Sequence, residues 1–146
     1  MTDRISPPAP IHPRLIGPGA VLLMATLVTD LGYTRSMAFQ WKDFSMWLLT
    51  AGLILAALGA LAVALDAWLR RIRGVDWLRF GAFGVAALLS LINAFVHSRD
   101  SYTGVVPQGV ALSAIAALIL VLVLVGWRDW GVVARTRSLE IKEQRP

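Results

Sequence analysis

Four apolar runs, each near 20 residues long, constrain the fold of this chain more than any other feature. They cover about residues 15–33, 44–69, 75–96 and 105–127. A helix needs roughly 20 apolar residues to cross a hydrocarbon core about 30 Å thick. The chain is 57% hydrophobic and 16% charged, whereas a soluble domain is about a quarter charged. The sequence therefore predicts a membrane protein with four spanning helices.

The connections between these runs predict how the helices are arranged. They are short, about ten, five and eight residues, so neighbouring helices must run antiparallel. We expect an all-α, up-down-up-down four-helix bundle over residues 15–127, with a proline-rich arm (1–14) before it and a basic tail (128–146) after it. A cleaved signal peptide is the alternative interpretation of the first run. That run is longer than a usual signal core, however, and no small-x-small cleavage site follows it.

Basic residues are unevenly distributed between the two sides of the predicted bundle. Eleven of the 14 lysines and arginines lie on the side shared by the arm, the second connection and the tail, and the other side holds Arg35, Lys42 and Arg99. Positively charged loops stay in the cytoplasm, so both termini are expected to be cytoplasmic in a bacterial inner membrane. This orientation, and not nucleic-acid binding, accounts for the net charge of +5.

Tryptophan positions support the same spans. All six tryptophans flank the apolar runs, with two at the predicted periplasmic end and four at the cytoplasmic end: Trp41, Trp47, Trp68, Trp77, Trp127 and Trp130. Indole rings prefer the boundary between lipid and water. The distribution is therefore typical of a multi-pass membrane protein.

Stripes of small residues predict where the helices approach one another, because lipid supplies no hydrophobic force between helices. The second and fourth runs each have such a stripe, at Gly52, Ala56, Ala60 and Ala64 and at Gly109, Ser113 and Ala117. An alanine-rich helix can also show this spacing by chance. In either case the stripes concern packing and not chemistry.

A group of polar residues lies at the predicted periplasmic end. Polar side chains near hydrocarbon usually turn inward, towards partners or water. Spacings of three and four place Thr26, Asp30 and Tyr33 on one face of the first helix, and the same pattern recurs at the end of the third. The expected periplasmic site comprises Asp30, Tyr33, Gln40, Trp41, Asn93, His97, Arg99 and Asp100.

Three interpretations of this group remain open. The first is a structural cluster in which Asp30 or Asp100 pairs with Arg99 and His97 caps a helix end. The second is a proton-handling or small-ligand site, since a histidine beside a carboxylate can titrate near neutral pH. The third is a metal site with His97, Asp30 and Asp100 as ligands, for which one histidine and two carboxylates are a weak signal.

A second polar group lies at the predicted cytoplasmic end. His12 and Arg14 precede the first span, and Asp66 and Arg70 close the second. Short connections bring both segments to the same membrane surface. We expect a structural cluster here, with Asp66 paired to an arginine.

Several other activities find no support in the sequence. The chain has no cysteine, which excludes disulfides, thiolate catalysis and covalently attached haem. No HExxH, GxSxG, GxGxxG or phosphate-binding glycine loop is present, so no catalytic residue is predicted. The two histidines, His12 and His97, are expected on opposite faces, roughly 30 Å apart. A haem held by both within one chain is therefore disfavoured, and no cofactor is predicted.

Several segments resemble a family of small bacterial membrane proteins known as domain of unknown function 2231. They are IHPRLIGPGAVLLMATLVTDLGY, QWKDFSMWLLTAGL, LINAFVHSRDSY and GWRDWGVV. The resemblance implies a four-span membrane domain without an established activity. The positions it carries over as a site are Asp30, Gln40, Trp41, Asn93, His97, Arg99 and Asp100. Some members of that family are fused to, or encoded near, cytochrome-like or periplasmic dehydrogenase components, so the resemblance implies a respiratory accessory role. Many have a histidine near the start of the third span, where this chain reads LRFGAFG, and this departure weakens a haem assignment.

Together these observations predict a non-enzymatic accessory or anchor subunit for a periplasm-facing redox partner. The alternative is a membrane protein that handles a proton, a metal ion or a small ligand at the periplasmic polar group. The expected partners are the lipid bilayer and a redox protein, and assembly into a homo-oligomer is compatible with either function.

Overall fold

A computed structural model describes residues 10–72, 75–99 and 105–143, with side chains described as far as residue 125. Four helices account for most of these residues: α1 (Pro13–Ser36), α2 (Phe39–Trp68), α3 (Trp77–His97) and α4 (Gln108–Glu143). No strand occurs among the residues described. Each helix is long and apolar enough to cross a membrane. The predicted all-α, four-span fold is confirmed.

The helices extend beyond the apolar runs that revealed them. α2 begins at Phe39, so the polar segment before the second run is helical, and only two residues separate α1 from α2. One of these, Met37, has a left-handed backbone (φ 52°) and its N–H donates to the Tyr33 carbonyl, which ends α1. α4 has 36 residues, about 54 Å of helix, and therefore exceeds the roughly 30 Å of a hydrocarbon core.

Hydrogen bonds between helices show the alternating directions of α1, α2 and α3. Asp30 near the end of α1 contacts Ser45 near the start of α2 and His97 at the end of α3. These residues define the His97 end of the bundle. His12, just before α1, contacts Asp66 near the end of α2, and these two residues define the His12 end.

α1 and α2 pack closely because glycines bring their backbones together. A Cβ atom on Gly52 would lie 2.7 Å from Leu23 Cδ2, and one on Gly59 would lie 2.7 Å from Ile16 Cγ1. A Cβ on Gly19 would lie 3.2 Å from Leu55 Cβ. We call this contact the glycine seam. In lipid, such close approach supplies the packing that holds helices together.

The predicted stripe on α2 is correct for two of its four residues. Gly52 and Ala56 are buried, but Ala60 is only partly buried and Ala64 is exposed. The buried face of α2 alternates spacings of four and three, through Ser45, Leu49, Gly52, Ala56, Gly59, Val63 and Asp66. A strict spacing of four drifts around a helix with 3.6 residues per turn. The predicted stripe on α4, at Gly109, Ser113 and Ala117, is buried throughout.

The outer surface of the bundle is suited to lipid. Large apolar side chains are exposed on all four helices, among them Val28, Leu61, Phe95 and Leu122. Four described tryptophans are also exposed near helix ends, at Trp41, Trp47, Trp68 and Trp77. This arrangement is expected where indole rings lie between the hydrocarbon and water. The side chains of Trp127 and Trp130 lie outside the described part of the chain.

Candidate functional site

The His97 end contains a buried histidine–aspartate pair that joins three helices. The Nε2 atom of His97 lies 2.9 Å from Asp30 Oδ1, and the Ser45 hydroxyl donates to the same oxygen at 2.6 Å. His97 is 1% exposed, and Asp30 and Ser45 are fully buried. Two predicted residues, from α1 and α3, are therefore brought together. Ser45 of α2 completes what we call the His97 site.

A second hydroxyl extends the site along α1. Thr29 Oγ1 lies 2.7 Å from Ser45 Oγ and 2.9 Å from the Thr26 carbonyl oxygen. Each hydroxyl has one hydrogen to donate. Since Ser45 donates to Asp30, Thr29 can donate to Ser45 only when it releases the Thr26 carbonyl. The two arrangements differ by rotation of one hydroxyl.

The hydrogen-bond partners of His97 indicate which of its ring nitrogens carry a hydrogen. Its Nδ1 lies 3.0 Å from the Asn93 carbonyl oxygen, which can only accept, so Nδ1 carries a hydrogen. Nε2 faces a carboxyl oxygen of Asp30. Either Nε2 is protonated and Asp30 is ionised, or Asp30 is protonated and donates to Nε2. In both forms one proton lies between these two atoms.

Some buried polar atoms of the His97 site form no hydrogen bond within the described part of the chain. Asp30 Oδ2 and both amide atoms of Asn93 (Nδ2 and Oδ1) are buried without a hydrogen-bond partner among the residues that the structure describes. A buried polar atom left unpaired costs about 1–3 kcal/mol. A water molecule or another small polar species would remove this cost. The structure thus places an unsatisfied carboxylate oxygen and an unsatisfied amide within the same end of the bundle.

The other predicted residues that the structure describes lie at the same end of the bundle. Tyr33 is buried one turn after Asp30, and the Trp41 ring packs against the backbone of Gly32. Lys42 Nζ donates to the Arg99 carbonyl at 3.3 Å. Gln40 and the Arg99 side chain are exposed, and Asp100 lies outside the described residues. Asp30 is thus paired with His97 and Ser45 instead of Arg99.

Three metal ligands do not come together in the part of the chain that the structure describes. No group of three or more histidine, cysteine, aspartate or glutamate side chains occurs there. Of the three proposed ligands, Asp30 and His97 are adjacent and Asp100 is not described. Both ring nitrogens of His97 already face hydrogen-bonding oxygens.

The His12 end contains the second histidine–aspartate pair. One oxygen of Asp66, Oδ2, accepts from the backbone N–H groups of Ile11 and His12, at 2.7 and 3.0 Å. The His12 ring nitrogen Nδ1 lies 2.9 Å from the same oxygen. Because the first N–H groups of a helix have no partner within the helix, Asp66 caps α1 from the neighbouring helix.

An arginine faces Asp66, as expected, and this arginine is Arg71. The Nη1 atom of Arg71 lies 3.8 Å from Asp66 Oδ1. Arg70 has a left-handed backbone (φ 52°) and is exposed, and Arg14 is also exposed. The Arg70 N–H bonds to the Ala67 carbonyl and the Arg71 N–H to the Asp66 carbonyl, which is a Schellman ending. The chain reverses direction at this ending, and the Arg71 side chain therefore lies near the Asp66 carboxylate.

The two pairs lie at opposite ends of the glycine seam. His12 and Asp30 are 18 positions apart in the chain, which corresponds to about 27 Å along the helix axis. Between them the buried residues of α1 are Ile16, Gly19, Ala20, Leu23, Thr26 and Thr29. The first four of these are apolar. Buried apolar residues of α1 therefore lie between the two pairs.

These features define a class of protein: a four-span membrane bundle with a histidine–aspartate pair near each end. The chain belongs to the family described as "Predicted membrane protein (DUF2231)", whose model matches residues 8–137. The family resemblance predicted from the sequence is therefore confirmed. No curated protein and no solved structure matches the chain.

Proposed function

We propose that this protein binds a proton and a small polar ligand at the His97 site. The observation that carries the proposal is the 2.9 Å contact between His97 Nε2 and Asp30 Oδ1, next to buried polar atoms that have no partner in the described part of the chain. A purely structural pair would require neither the free Asp30 Oδ2 nor the free Asn93 amide. Ionisable residues inside a membrane protein commonly mark ion or substrate sites.

Hydroxyl groups give the proposed site a route for rearrangement. Thr29 and Ser45 form a short chain that ends on the Asp30 carboxyl group. When Asp30 gains or loses a proton, Thr29 can rotate between Ser45 and the Thr26 carbonyl. The site can therefore change its protonation without moving a helix. We propose no covalent chemistry here and do not assign the protein as an enzyme.

Infrared difference spectroscopy tests this proposal directly. When the pH of the reconstituted protein is changed stepwise, we expect carboxyl and imidazole signals that change together. Asp30→Asn should remove both signals, because one proton is shared between the two groups. His97→Gln should also remove both.

Asp43→Asn is the matched control, since Asp43 is an exposed carboxylate on α2. That variant should retain the paired signals. The proposal would be overturned if the wild-type spectrum contained no such pair, or if the carboxyl and imidazole signals responded to the variants independently of each other.

We also propose that the His12 end is cytoplasmic and the His97 end periplasmic, in a bacterial inner membrane. The support is the uneven distribution of basic residues over the whole sequence, since loops rich in lysine and arginine stay in the cytoplasm. In this orientation the His97 site lies near the periplasmic surface. It would exchange protons or ligands with that compartment.

An accessory or anchor role for a periplasm-facing redox partner stays a prediction that rests on the family resemblance. We expect the chain, tagged and purified in mild detergent, to retain a partner that absorbs visible light. The tagged chain alone, expressed without its neighbours, should have no haem absorption. A haem band in the isolated chain would contradict the expectation that it carries no cofactor, and a colourless preparation from native membranes would contradict the redox partner.

A further inference from the structure

The His12 end also contains a cavity that is separate from the His97 site. Its volume is about 210 Å³, and residues from all four helices and the α2–α3 connection line it. Its apolar walls include Ile16, Val63, Phe80, Phe83 and Val123. An apolar cavity of about 150 Å³ can hold a benzene ring. The cavity is therefore large enough for one ring or for a short branched apolar group.

Three polar residues line the same cavity: His12, Asp76 and Arg79. Each charge is already matched. Arg79 Nε lies 3.1 Å from Asp76 Oδ2, and His12 Nδ1 lies 2.9 Å from Asp66 Oδ2. A cavity whose cations are paired with carboxylates gives little advantage to an anionic head group. The charges favour a neutral occupant.

The imidazole of His12 defines the hydrogen bonding that an occupant would use. Its Nδ1 is directed to Asp66, so Nε2 is the ring nitrogen left for a ligand. In the neutral ring Nε2 accepts a hydrogen bond, and in the charged ring it donates one. A hydroxyl group can pair with the first form and a carbonyl with the second.

The position of the cavity indicates where an occupant would come from. Trp68 and Trp77 are both exposed at this end, at the boundary that indole rings prefer between lipid and water. Trp77 also contacts Phe80, a cavity residue, edge to face with ring centroids 6.2 Å apart. The cavity therefore lies at head-group depth, within reach of molecules dissolved in the bilayer.

We infer that this cavity binds a neutral, membrane-soluble amphiphile, with its carbonyl or hydroxyl head at His12 and its apolar part against Phe83 and Val123. Two sources share this chemistry, a membrane quinone and a neutral glycerolipid. Binding would place the head group beside Asp66, the residue that caps α1. An occupant would therefore also stabilise the start of α1.

Calorimetry on the full chain in detergent tests this inference with decylubiquinone and dioctanoylglycerol as the two probes. We expect one of them to bind saturably, one molecule per chain, and the probe that binds identifies the source. Val123→Phe fills the cavity and should weaken binding about tenfold or more. Val121→Phe is the matched control, because Val121 lies on the same helix but faces outward, and it should leave binding unchanged.

A milder variant tests whether a loss of binding could result from misfolding. Val63→Ile adds a single methylene to the cavity wall and should weaken binding less than Val123→Phe while retaining the wild-type melting temperature. The inference would be overturned if neither probe bound saturably, if Val121→Phe weakened binding as much as Val123→Phe, or if the anionic lipid dihexanoylphosphatidylglycerol bound more tightly than both probes.

Discussion

Asp30→Ala is expected to destabilise the folded bundle by about 3–5 kcal/mol, the usual effect of removing one partner of a buried ion pair, which is the form with Nε2 protonated and Asp30 ionised. Asp30 is fully buried, accepts from Ser45 and shares a hydrogen bond with His97 Nε2. Alanine would leave both the imidazole and the hydroxyl without this partner. Unfolding with a denaturing detergent in mixed micelles, followed by circular dichroism, measures the free energy change.

Two further variants separate the pair from its surroundings. Asp43→Ala removes an exposed carboxylate and should change stability little. In a double-mutant cycle, His97→Ala combined with Asp30→Ala should cost less than the sum of the two single changes, because residues in contact are not additive. Additive costs would show that the two side chains do not interact in the membrane.

Gly52→Val is expected to produce the second large loss of stability, about 1–3 kcal/mol or more from overpacking. The new Cβ atom would lie 2.7 Å from Leu23 Cδ2 and 3.2 Å from the Leu23 backbone nitrogen. The leucine side chain can move, but the backbone of α1 can retreat only by opening the glycine seam. Thermal unfolding in detergent, followed by circular dichroism, detects the effect.

Gly84→Val is the matched control for this variant. A Cβ on Gly84 would meet nothing within 4 Å, so the two substitutions share the loss of glycine and differ in the clash. Gly52→Val should therefore melt well below Gly84→Val. Equal melting temperatures would mean that α1 and α2 are not in close contact at Gly52.

The sequence predicts the fold well because the membrane imposes it. Apolar length and short connections leave few alternatives to four antiparallel helices. The predicted helix bounds are less accurate, because an apolar run indicates which residues lie in hydrocarbon and not where the helical backbone begins. Phe39 begins α2 five residues before the second apolar run, for example, since polar residues also form helix.

The His97 site was predictable in part. Spacing and topology brought Asp30 and His97 to one end of the bundle, but Ser45 and Thr29 were missed. A single hydroxyl in an apolar helix has no distinctive pattern of its own. Ser45 could have been recognised from the alternating buried face of α2, on which it precedes Leu49 and Gly52.

Arg71 illustrates a different limit. Arg70 and Arg71 are adjacent in sequence and equally basic, so composition cannot choose between them. The choice depends on the left-handed backbone at Arg70, a conformation that usually requires glycine or asparagine. Only the Schellman ending of α2 returns Arg71, and not its neighbour, to Asp66.

The pairing of each histidine with a different buried aspartate has a consequence for spectroscopy. The chain contains two histidines, and His12 and His97 lie at opposite ends of the bundle. Isotopic labelling of histidine alone would therefore introduce one nuclear magnetic resonance reporter near each face of the membrane. Changing the pH on one side of a sealed vesicle would then show which imidazole communicates with which compartment.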